Sequence, residues 1–239
     1  MEGNHRELRF RGIKGTRKGI LVLLVAVGAS ICSLTEPQSQ APDRKAEPTV
    51  IEVYTPSDLR TSWTGFRAVL NSQGSIDRVE ALGKDGQRRV LPMSKGDDAC
   101  TSPTKSSGTR LMAEDLNFDG YPDLAVLCAE GATGNRDYSV WLWDHKKQML
   151  RFSSDFSGIL EHVKSLAVNP SERTVTTTQG DLRTRLEHTY AIVNDKPRLS
   201  RSRFAEVNKD GVWDITISER QGERMVVREK RQSQKHPSW

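Results

Sequence analysis

A chain of 239 residues with 28% charged and 35% hydrophobic residues has the length and composition of one large or two small globular domains. Its formal charge of +5 is local: six of the 36 basic and two of the 31 acidic residues lie in residues 1–32, which leaves 30 against 29 for the rest. A near-neutral body with no zinc-finger spacing and no basic–aromatic stripe argues against a nucleic-acid partner.

Residues 1–19 are basic, and residues 20–31 (ILVLLVAVGASI) form a twelve-residue apolar run. As a helix it would span about 18 Å, too short for a bilayer core and the right length for the apolar stretch of a secretion signal. Ala26, Gly28, Ala29 and Ser30 offer small side chains for signal-peptide cleavage. Cys32 raises the rival fate of lipidation, although Ile31 before it departs from the small residue such a signal prefers, and an uncleaved anchor is the third. Each fate places the body outside the cytoplasm, with membrane attachment only through the N-terminal anchor or a lipid on Cys32. Residues 33–48 carry three prolines and almost nothing apolar, the composition of a flexible linker, and residues 49–239 are read as a single β-rich domain.

From residue 49 short segments of strand character alternate with turn signals. The pattern predicts strands over 50–54, 63–70, 76–82 and 88–93, with Lys84-Asp85-Gly86 as a hairpin turn. Residues 94–109 read as a long surface loop, and strands follow over 111–114 and 123–129. Residues 130–137 (EGATGNRD) read as a second polar loop. In the strand over 138–144 (YSVWLWD), Tyr138, Val140 and Leu142 share one face while Ser139, Trp141 and Trp143 share the other, so both faces are apolar and the strand is expected at the centre of a sheet packed on both sides. Residues 157–166 are read as the one helical segment, ended at Asn169-Pro170-Ser171. Strands over 173–178, 186–193, 198–207, 212–218 and 224–228 complete a dozen, and the basic stretch 220–239 is read as a solvated strand end or tail. The expected fold is all-β: an antiparallel β-sandwich or a small propeller-like β domain with one calcium loop between strands.

That loop is the most specific feature of the chain. Asp115, Asn117, Asp119 and Asp123 place side-chain oxygens at the first, third, fifth and ninth positions of DLNFDGYPD, and Gly120 stands sixth, where the backbone must turn. Three carboxylates this close repel by about 3–4 kcal/mol per pair at an effective dielectric near 20, a penalty that a divalent cation removes. The expected calcium ligands are Asp115, Asn117, Asp119, Asp123 and the Tyr121 carbonyl. A helix–loop–helix site would need Glu at position twelve, where Val126 stands, so the loop is assigned between strands. A plain Asp-Gly turn accounts for Asp119 and Gly120 but not for the other oxygens. Residues 206–214 echo the frame with Glu206, Asn208, Asp210, Gly211 and Asp214. There Lys209 sets a cation inside it, and a hairpin turn is sufficient.

With Cys32 in the leader, Cys100 and Cys128 remain, and in an oxidising compartment two cysteines pair; the alternative is that Cys128 is a buried thiol on an apolar strand. No His pair at metal spacing, nucleophile elbow or phosphate loop is present, so an enzyme is not expected. In motif and order, residues 115–124 (DLNFDGYPDL), the polar loop 130–137 and YSVWLWD, with 173–207 more loosely, resemble a family of exported bacterial calcium-loop β-proteins. That family includes immunity proteins against peptidoglycan hydrolases delivered by type IV secretion, and it is similar to periplasmic lysozyme inhibitors. The resemblance covers about half of the chain. It implies a periplasmic, non-enzymatic protein that needs calcium for its shape and binds a peptidoglycan hydrolase or muramidase through loops. On that reading Thr133, Gly134, Asn135, Arg136, Asp137 and Tyr138 form the loop that enters the partner's cleft, Arg136 pairing with a catalytic carboxylate. Tyr138 either stacks where a sugar would lie or turns inward as core. A calcium-stabilised envelope interaction module without inhibitory activity is the alternative function.

Overall fold

The computed structural model describes residues 48–55, 61, 63–96, 99–103, 110–237 and 239; the expected leader, Cys32 and nearly all of the linker lie outside them. Residues 46–239 belong to one compact unit. Among the described residues fourteen strands form three antiparallel sheets, none closed into a barrel, with one short helix, and within each sheet the strands neighbour one another in chain order. The first sheet holds β1 (Val50–Tyr54), β2 (Trp63–Leu70), β3 (Ile76–Gly83) and β4 (Arg88–Leu91). The second holds β5 (Leu111–Glu114), β6 (Asp123–Glu130), β7 (Arg136–Asp144) and β8 (Met149–Phe152). After α1 (Ser154–Ile159), the third runs through β9 (Ser165–Asn169), β10 (Thr174–Gly180), β11 (Thr184–Val193), β12 (Lys196–Val207), β13 (Trp213–Gln221) and β14 (Arg224–Ser233).

The alternation of β6 and β7 explains how the sheets stack. Leu124, Val126, Trp141 and Trp143 bury their side chains with Phe66, Val79 and Leu91 of the first sheet. Ala125, Leu127, Tyr138, Val140 and Leu142, pointing the other way, pack with Phe156 and Leu160 around α1 and with Val175 and Ile192 of the third sheet. The second sheet is therefore buried on both faces, as the two-sided apolar pattern of 138–144 requires, and the expected β-sandwich or propeller-like domain is corrected to three sheets with the second between the other two. A smaller cluster of Ala205, Trp213, Ile215 and Ile217 stabilises the far part of the third sheet. There the chain end returns: the His236 ring meets Trp213 edge-on, and Arg203 lies over the Trp239 ring. Of the two readings of the basic segment from residue 220, strand end or tail, the structure has mostly strand, the end of β13 and β14.

The helical segment is also corrected. It starts at Ser154, three residues before the expected one, because the Ser153 hydroxyl accepts from Phe156 N–H and caps it. Residues 165–169 pair with β10 instead of continuing the helix.

Candidate functional site

The loop between β5 and β6 is closed by its own side chains. Asp115 accepts from Asp119 N–H at 3.0 Å through one carboxylate oxygen and from Gly120 N–H at 2.8 Å through the other. Asp119 accepts from Tyr121 N–H at 2.9 Å, and the Asn117 amide donates to the remaining Asp119 oxygen at 3.2 Å. Two left-handed residues, Phe118 at φ 59° and Gly120 at φ 91°, wind the turn tightly enough to aim these donors inward. For Phe118 that conformation is unfavourable. Arg173, from the turn before β10, holds it by donating to the Phe118 carbonyl at 3.1 Å with its guanidinium over the ring.

Asp123 behaves differently. It is fully buried, and its two oxygens accept from Leu116 N–H at 2.9 Å and from Trp143 N–H at 2.8 Å. It therefore clasps the start of the loop to strand β7 from inside the protein. Burial pushes its carboxyl well above the usual range, the charges of Asp119 and Asp115 add to that, and the two N–H donors work against it. Burial raises Asp115 as well, against the hydrogen bond from Gly120.

Oxygen donors in a frame with three carboxylates are the right chemistry for calcium. Their present arrangement is one of internal hydrogen bonds: the oxygens of Asp115 and Asp119 face loop donors, and those of Asp123 face the core. Among the described residues no group of three or more His, Cys, Asp or Glu side chains is placed to hold a metal ion. A bound cation would have to replace part of this hydrogen bonding. The echo at 206–214 is a hairpin turn, with Asn208 accepting from Asp210 and Val212 N–H and donating to Asp214.

The expected polar loop 130–137 is corrected to a tight hairpin whose tip is shorter. Gly131 and Asn135 close it through a 2.8 Å backbone hydrogen bond, while Arg136 and Asp137 are already in β7. Thr133, Gly134 and Asn135 form the tip. The Arg136 guanidinium meets Glu130 at 3.0 Å across the hairpin, so a partner's carboxylate would have to compete with Glu130 for it. Tyr138 is 6% exposed and packs in the core beside α1, the inward of its two expected positions. Its inward position follows from the same alternation that places Val140 and Leu142 there.

Cys100 and Cys128 are brought together as the sequence reading expects, but as free thiols rather than the expected disulfide. Neither is a core residue; both are partly exposed. Beside them Asp137 accepts from His162 N–H at 2.6 Å and lies 3.1 Å from His162 Nδ1. Sequence reasoning missed Arg173, Ser139 and His162 at these places. Each reaches its partner only through the fold, from 11 to 56 residues away.

The fold and the loop define an all-β protein of three stacked antiparallel sheets with an acidic, internally hydrogen-bonded loop leading into its central sheet. Among solved structures, a Xanthomonas protein related to the type IV secretion system matches with a TM-score of 0.52 and 20% identity, over 77% of this chain and 95% of its own. At that identity the likeness is one of fold. A Bacteroides fragilis protein of unknown function matches over 78% of this chain and 94% of its own, but its TM-score of 0.28 and 6% identity carry no argument. No protein-family model matches the chain, and no curated protein sequence is significantly similar to it.

Proposed function

We propose that this chain is an exported, periplasmic, calcium-binding protein that inhibits, or gives immunity to, a peptidoglycan hydrolase by binding its active-site cleft. The observation that carries the reading is the fold shared with the Xanthomonas type IV secretion system related protein over most of both chains. It is supported by the DLNFDGYPDL and YSVWLWD segments: the first is the loop that leads into β6, and its Leu124 pairs with Trp141 of the second in β7. Calcium would be held by Asp115, Asn117, Asp119, Asp123 and the Tyr121 carbonyl, replacing part of the hydrogen bonding inside the loop. Its contribution is to stability: at ten times the dissociation constant, binding adds about 1.4 kcal/mol to the folded state. The contact surface is the hairpin tip with Thr133 and Asn135, flanked by Arg136. Both strand ends of the tip are fixed in the central sheet, which lowers the entropy lost on binding.

The test is peptidoglycan clearing by a panel of muramidases of different classes, with the full chain titrated in at saturating calcium. Stoichiometric inhibition of at least one class is expected. No inhibition of any of them, with calcium binding intact, would favour an envelope interaction module without inhibitory activity.

A further inference from the structure

Cys100 and Cys128 meet around Ser139. The Cys100 N–H donates to Ser139 Oγ at 3.0 Å, while the Cys128 sulfur lies 3.5 Å from that oxygen and 3.6 Å from the Cys100 carbonyl. An irregularity in the sheet makes the meeting possible. The pairing of β6 with β7 shifts register between Leu127 and Ala129, leaving Cys128 as the extra residue. Such a bulge turns a side chain off the alternation of its strand, and here it releases Cys128 from the packed face toward the segment that carries Cys100. Both thiols line a cavity of about 270 Å³ whose wall also holds Asp137, Glu161 and His162.

We propose that Cys100 and Cys128 form a reversible dithiol site, with Cys100 the attacking thiol, Cys128 the resolving thiol and a low-molecular-weight disulfide the reaction partner. The site is independent of calcium and of any hydrolase. In the first step the Cys100 thiolate attacks one sulfur of the incoming disulfide; a mixed disulfide forms, and the first thiolate leaves and takes a proton from solvent. In the second, Cys128 loses its proton and attacks Cys100 Sγ, expelling the other thiolate. The two cysteines are oxidised to one disulfide, and the incoming disulfide is reduced to two thiols.

The order of attack follows from the environment of each sulfur. A hydrogen bond from the Cys128 side chain holds the Cys100 thiol down to about 6, so at neutral pH Cys100 is mostly thiolate. The same hydrogen bond, with burial, pushes Cys128 up. The pair thus gives up one proton readily and keeps the other. Closing the bond ties residues 99–103 to the edge of the bulge in β6.

Reduced full chain is exposed to oxidised glutathione, quenched with acid at intervals and mapped by peptide mass spectrometry, which separates Cys32 from the pair. Wild type is expected to end with Cys100 linked to Cys128 and to return to thiols with dithiothreitol. Cys128→Ser is expected to stop with glutathione on Cys100, at least about tenfold faster than Cys100→Ser acquires it on Cys128. Cys128→Ala removes the donor that lowers Cys100 and is expected to take up glutathione on Cys100 more slowly than Cys128→Ser. Should either variant lose its folded circular dichroism spectrum, the early quenches of wild type report the order directly: glutathione appears on Cys100 before the internal bond. Equal rates, first modification at Cys128, or two unlinked thiols in oxidised wild type would each overturn the proposal.

Discussion

Asp123→Asn isolates the clasp between the loop and the central sheet. The substitution keeps shape and one acceptor oxygen but turns an amide NH₂ toward either Leu116 N–H or Trp143 N–H, both of which now donate to the carboxylate. A hydrogen bond to a charged group contributes about 1.5–3 kcal/mol, and leaving a buried N–H without an acceptor costs about 1–3 kcal/mol; these describe one event and are not added. Relief from burying a carboxylate that the interior resists ionising offsets part of the loss. The net expectation is about 1–3 kcal/mol, or roughly 2–12 °C in melting temperature for a unit of this size. Asp123→Leu removes both acceptors and should lose about twice as much. Urea denaturation with EDTA present, to keep calcium out of the comparison, reads both variants. A loss below about 0.5 kcal/mol for Asp123→Leu would refute the clasp.

Phe156→Ala, at a fully buried ring between α1 and the central sheet, should cost about 3–5 kcal/mol in the same assay. Asp119→Ala should abolish stabilisation by added calcium in thermal melts, whereas Asp210→Ala should leave it intact; the reverse result would move the site to the second frame. Arg136→Ala should weaken hydrolase inhibition with little change in melting temperature, while Tyr138→Ala should melt early because the ring is core. Burial lowers the pKa of His188 below its ordinary 6.5, with Nδ1 beside the Tyr190 hydroxyl. The neutral form is favoured on folding, so its contribution is present above about pH 6.5 and lost as pH falls below it. His188→Gln should therefore lose less stability than wild type between about pH 7.5 and about pH 5.5.

Much of the architecture was legible because alternation and turn residues carry it. Strands β1, β2 and β5 begin and end where the pattern places them, and the two apolar faces of 138–144 announce a sheet covered on both sides. Strands β8 and β9 were not legible: MLRF is four residues long, and SLAVN shows a short apolar pattern that suits helix and strand equally. At the loop, spacing identified Asp123 as a companion of Asp115 and Asp119 but gave no sign that its oxygens turn to Trp143 N–H, twenty residues on. The hairpin tip was drawn too long because Arg136 and Asp137 look like loop residues until Glu130 is seen across the strand. The meeting of the cysteines was anticipated from their number. The bulge that turns Cys128 outward leaves no mark in an apolar strand.

The central claim is tested most directly by calorimetric titration of the intact chain into each peptidoglycan hydrolase of the panel, once with saturating calcium and once with EDTA. The account predicts one-to-one binding to at least one hydrolase with calcium present, and weaker binding without it. Absence of binding to every hydrolase under both conditions, by a protein that melts cooperatively in each, would contradict it.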